Sequence, residues 1–102
     1  MFKLELINNM QIGTLEGTDR LNAPVATVVK DELNGLLVKN QYNLVLNLEN
    51  IRFIDSTGIG VLISALKTAR QNNGSFILSN VNKEVMSLLS LMKLDKVFDF
   101  SV

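Results

Sequence analysis

The stretch Phe53-Ile54-Asp55-Ser56-Thr57-Gly58-Ile59-Gly60-Val61-Leu62 decides the reading of this chain. An apolar pair with strand character runs into three polar residues and a glycine. From Ile59 the spacing turns helical, with Ile59, Leu62, Ile63, Leu66 and Ala69 on one stripe. Ser, Thr and Asp are preferred where a helix begins, because their oxygens satisfy its free N–H groups. One such residue suffices for a cap, yet three stand in a row. Gly58 and Gly60 each cost the helix roughly 1 kcal/mol relative to Ala. The expectation is a strand-to-helix junction, with Ser56 at or beside the cap, where another molecule approaches bare backbone. The positive end of the helix also welcomes an anion there.

The same residues exclude three enzymatic readings. Aspartic proteases carry Asp-Thr/Ser-Gly, but here the glycine comes one residue late and a helix follows at once. A phosphate-binding P-loop needs Gly-x-x-x-x-Gly-Lys-Ser/Thr, and no Lys follows Gly60. A nucleophile elbow needs Gly-x-Ser-x-Gly and a base, and the chain has no His. With no Cys either, thiolate chemistry and the commonest metal ligands are missing. The chain is therefore expected not to be an enzyme, with no catalytic residue, metal or cofactor.

Working outward, Leu44-Val45-Leu46-Asn47-Leu48 lies within a strand expected over Tyr42 to Leu48, central in a sheet or half covered. Before it, Val25, Val28, Val29, Leu33, Leu36 and Leu37 recur at helical steps, behind Asn22 as cap and Pro24 in the first turn. The N-terminus alternates, with Phe2, Leu4 and Leu6 on one face and Lys3 and Glu5 on the other. Asn8-Asn9 turns it into a second strand near Met10 to Leu15, predicting a hairpin. Glu16 to Asn22 reads as a loop. After the motif, Asn72-Asn73-Gly74 ends the helix, with Gly74 as the left-handed residue, and Ser75 to Ser79 is a strand. Asn82 caps a third helix with Val85, Leu88, Leu89 and Met92 buried and Lys93 and Lys96 near its end. Met86 and Leu91 fall outside that stripe, as sheet-edge core or as a docking patch. Val97 to Phe100 is a short strand or extended tail. The order β-β-α-β-α-β-α-β predicts an α/β fold, a small mixed sheet packed by helices, over one domain spanning 1–102.

Composition agrees with this. Of 102 residues, 47% are hydrophobic, enough for a modest core. Ten Lys plus Arg balance ten Asp plus Glu. A neutral chain is a poor match for neutralising phosphates, so no direct nucleic-acid binding is expected. Charges at Lys3 and Glu5 argue against a signal peptide, and no apolar run nears the ~20 residues that span a bilayer. A cytoplasmic protein without membrane insertion is the expectation.

Taken together, these segments resemble the STAS domain of anti-sigma factor antagonists. The pattern is an apolar pair, Asp-Ser-Ser/Thr-Gly, then aliphatic-Gly-aliphatic-aliphatic, matched by Phe53 to Leu62. The strand Gly74 to Leu78 and the ending Leu88-Leu89-x-Leu91-Met92-x-Leu94-Asp95-Lys96-Val97-Phe98 also match. The resemblance implies that Ser56 is phosphorylated by an anti-sigma factor with serine kinase activity. Unphosphorylated, the antagonist would bind that factor and free the sigma factor; a phosphatase acting on phospho-Ser56 would restore binding. Implied partner-binding positions are Asp19, Asn22, Asp55, Ser56, Thr57, Gly58 and Gly60. Where the family has Gly-x-Leu-Asp, this chain has Asp19-Arg20-Leu21-Asn22, so the loop is altered and partner identity stays open. Thr57 is the competing hydroxyl, better suited to packing or capping, and Asp55 either orients the switch or caps the turn. Two other readings use the same fold: an unphosphorylated scaffold or transporter-complex subunit, and a small-molecule or nucleotide-sensing module.

Overall fold

The computed structural model describes residues 1–101. The alternating N-terminus forms β1 (Phe2–Ile7), paired antiparallel with β2 (Met10–Leu15). Asn8 and Asn9 between them hold φ of 52° and 65°. That left-handed pair suits a two-residue hairpin, and Asn tolerates it. There follow β3 (Arg20–Leu21), α1 (Ala23–Lys39), β4 (Asn43–Asn47), β5 (Phe53–Ile54) and α2 (Ser56–Gln71). The chain closes with β6 (Ser75–Ser79), α3 (Lys83–Leu91) and β7 (Asp99–Phe100).

The main sheet has the order β1-β2-β4-β6-β7, with only the first pairing antiparallel. Strand β4 is central, as its leucine-rich face suggested. The three crossovers through α1, α2 and α3 all step the same way across the sheet. Right-handed crossovers then place all three helices on one face. A single core layer forms between them, with Leu44, Leu46, Phe76 and Leu78 from the strands meeting Leu33, Leu37, Leu62, Leu66 and Leu89 from the helices. On the opposite face, register lines up Ile12, Val45 and Ile77. Val45 is buried there between its two neighbours. Among the described residues, the sheet is thus covered by helices on one side only.

Several local expectations change. The Glu16–Asn22 loop contains β3, which pairs in parallel with β5 as a separate two-stranded sheet. Val28 and Met92 lie at the margins of their stripes and are about half exposed. Lys93 and Lys96 fall beyond the end of α3. At the end of α2 the left-handed residue is Asn73, with φ 59°. Gly74 serves close approach instead: a Cβ there would sit 1.9 Å from the Tyr42 carbonyl oxygen, so only glycine lets the chain pass. Its N–H donates back to Ala69 O at 2.7 Å, closing the helix. Asn22 and Asn82 occupy cap positions, but neither side chain caps its helix. Asn82 donates to the carbonyls of Glu49 and Ile51, at 3.1 and 2.6 Å, and so ties the loop before β5 to the start of α3.

Candidate functional site

The two-residue strands explain how the site is assembled. Arg20–Leu21 leads into α1 and Phe53–Ile54 leads into α2, and the parallel pairing of β3 with β5 brings both helix starts together. Asp55 sits at the N-cap of α2 with extended backbone. Its Oδ1 accepts from the Gly58 N–H at 3.0 Å and from the Thr57 hydroxyl at 2.5 Å. Its Oδ2 accepts from the Ala23 N–H at 3.1 Å. One carboxylate therefore caps both helices, which is why Asn22 does not need to cap α1 itself. The Thr57 hydroxyl, then the Gly58 N–H, hold the Asp55 carboxyl below the ordinary carboxylate range, with Ala23 adding to the effect and desolvation opposing it.

The hydroxyls divide accordingly. Thr57 is committed to Asp55. Ser56 is exposed, and its hydroxyl makes no hydrogen bond among the described residues. The glycines divide too. A Cβ at Gly58 would lie 2.2 Å from Leu21 O and 2.7 Å from Ile54 Cγ1, so this glycine admits the molecule's own strand rather than a partner. Gly60 meets nothing within 4 Å and is exposed. It borders a shallow hollow between α1 and α2, lined by Ala26, Thr27, Lys30, Thr57, Gly60 and Val61.

The altered loop shows its role in its backbone. Asp19 O accepts from the N–H groups of Arg52 and Phe53, at 2.8 and 3.2 Å, which sets the β3–β5 register. The Asp19 carboxylate is exposed, 3.9 Å from the Arg20 guanidinium. That guanidinium lies 5.3 Å from the centre of the Phe53 ring, and Phe53 is 47% exposed. Reading the sequence missed this cation–aromatic pair, which joins β3 to β5 across their register. Doublets as short as Arg20–Leu21 and Phe53–Ile54 carry too little alternation to show that they pair. Leu91 is 80% exposed and Met86 half-buried, so the two do not behave as one patch. Among the described residues, no group of three or more acidic side chains is placed to hold a metal ion, and no helix is long and apolar enough to cross a membrane.

The STAS domain model matches residues 4–102. The chain belongs to the STAS domain family. A relative, the anti-sigma-B factor antagonist of Bacillus subtilis, is 27% identical over 92% of this chain and 83% of its own. The fold is shared with a STAS domain protein from Planctomyces limnophilus, at TM-score 0.86 and 17% identity, covering 99% of this chain and 90% of that one. It is also shared with the phosphorylated form of the Bacillus cell-fate determinant SpoIIAA, at TM-score 0.70 and 17% identity, covering 100% and 92%. The mixed sheet with three helices in this STAS domain is thus the family architecture, and its junction motif lies inside the matched region.

Proposed function

We propose that this STAS domain is an anti-sigma factor antagonist that binds an anti-sigma factor with serine kinase activity, and that phosphorylation of Ser56 switches this binding off. The observation that carries the reading is the unequal state of neighbouring hydroxyls. Ser56 is exposed and unengaged at the start of α2, whereas the Thr57 hydroxyl is held by Asp55. A kinase reaching this junction meets a free nucleophilic oxygen at one residue. The family relationship supports the partner class, since a relative is named an anti-sigma factor antagonist.

The physical effect of the switch is local. A phosphate adds roughly −1.5 to −2 charges and three strong acceptors. The helix start accommodates it, because partial positive charge resides there. The adjacent Asp55 is already ionised, so the modification deepens one negative spot on a chain whose formal charge is zero. A partner surface matched to the unmodified junction then meets bulk and repulsion. A loss of 3–4 kcal/mol corresponds to about a 150- to 850-fold drop in affinity. Hydrolysis by a phosphatase returns the binding form.

The test is incubation with ATP and the cognate anti-sigma kinase, followed by intact mass and peptide mapping. One added phosphate on Ser56 is expected, with none on Ser56→Ala, which stays bound to the partner. Phosphate appearing equally on Ser56→Ala, or mapping to Thr57, refutes the assignment.

A further inference from the structure

Among the described residues, strand β1 has no neighbour on its outer side in the main sheet, and it is long, six residues. Its backbone orientation follows from the hairpin. Glu16 N–H donates to Met1 O at 2.7 Å, the step after the Phe2↔Leu15 pair. Hydrogen-bonded and non-bonded pairs alternate in an antiparallel ladder. Lys3, Glu5 and Ile7 therefore turn their backbone groups toward β2. Phe2, Leu4 and Leu6 present N–H and C=O at the free edge. The side chains of Phe2 and Leu4 lie on the helix-covered face, beside Leu36 of α1 at Gly13. Beyond α1 this face is uncovered: Leu4 is 50% and Leu6 69% exposed.

We infer that the β1 edge pairs with β1 of a second copy of this chain, antiparallel about a two-fold axis centred on Leu4. Two-fold pairing demands that like-oriented backbone groups meet, so the axis must pass opposite one residue. Centring on Lys3 or Glu5 sets identical charges against each other, which destabilises a strand pair. Centring on Leu4 sets Lys3 of each copy opposite Glu5 of the other, twice. The same register makes Leu4 face Leu4 and Phe2 face Leu6, and all three outward backbone pairs meet partners. The alternation Phe-Lys-Leu-Glu-Leu over residues 2–6 is thus complementary to its own antiparallel image. A lone edge lysine commonly blocks such pairing; here the glutamate two residues on turns that block into a match. The result is an isologous dimer with one sheet continuous through both copies.

Sedimentation equilibrium of the full chain from about 10 μM to about 1 mM, the span of weak self-association, reads this directly. The wild type is expected to show a monomer–dimer equilibrium. Lys3→Glu and Glu5→Lys each replace both cross-strand attractions by repulsions and are expected to weaken it about tenfold or more. The doubly exchanged chain, K3E/E5K, restores opposite charges and recovers the dimer. An equimolar mixture of the two single variants forms a heterodimer. Thermal melting of each variant checks that the hairpin is folded. A wild type that stays monomeric throughout overturns the inference, as does a dimer insensitive to the single exchanges or not rescued by the double one.

Discussion

Two glycines in the first turns of α2 are expected to respond to alanine with opposite signs. At Gly58 an added Cβ would stand 2.2 Å from the carbonyl oxygen of Leu21 and 2.7 Å from Ile54 Cγ1. Unbonded heavy atoms settle at about 3.5 Å, so α2 must retreat from β3 by about 1 Å. The oxygen belongs to backbone that also accepts from the Asp55 N–H, and it cannot swing aside like a flexible side chain. Overpacking of this kind costs about 1–3 kcal/mol or more, against a helix-propensity gain of about 1 kcal/mol for replacing glycine. The retreat also pulls the Gly58 N–H from Asp55 and loosens the shared cap. Net destabilisation of about 2 kcal/mol corresponds to a fall in Tm of roughly 8–15 °C for a domain of this size. At Gly60 nothing lies within 4 Å. Gly60→Ala therefore keeps the propensity gain and should raise Tm by roughly 3–7 °C. Urea and thermal unfolding followed by circular dichroism measure both. Equal stability of Gly58→Ala and Gly60→Ala would refute the close approach of α2 to β3.

Further outcomes concern the shared cap and the loop before it. Asp55 is more acidic folded than unfolded, so its contribution is complete above the ordinary carboxylate pKa near 4 and fades as pH falls through its lower folded value. Asp55→Asn should lose stability at neutral pH and flatten the acid limb of the urea midpoint against pH; an unchanged limb would count against the double cap. Thr57→Val removes the largest cause of that depression, so the Asp55 carboxyl should titrate at higher pH in carbon-detected NMR, while Ser56 remains phosphorylatable. A shift in the other direction would show that Thr57 does not donate to Asp55. Asn82→Ala leaves the Glu49 and Ile51 carbonyls without their donor and should destabilise by about 1–2 kcal/mol in urea unfolding. No loss there would mean water serves those carbonyls as well.

Much of the architecture was legible because periodicity is a local property. The alternation of Phe2 to Leu6, the leucines of β4 and the helical stripe after Ile59 each report which face is apolar. The junction Asp55-Ser56-Thr57-Gly58 was legible as a strand-to-helix motif for the same reason, and the structure places it at the start of α2. Its internal division of labour was not legible. Ser, Thr and Asp all suit a helix start, so sequence alone could not say that Asp55 caps while Ser56 stays free. Asn22 and Asn82 show the same limit: both stand at cap positions, but neither side chain caps its helix.

Sequence by itself determined the three helices, the five strands of the main sheet and its parallel crossovers, since these follow from side-chain spacing and backbone preferences within each segment. Only the tertiary structure decided what spans the chain. The pairing of β3 with β5 across about thirty residues of sequence lets one carboxylate serve two helices. The same pairing presses Gly58 against Leu21 and leaves Gly60 open. Two glycines of similar local chemistry thereby acquire different tasks, because contacts between distant segments, rather than neighbours in sequence, fix how much room each one has.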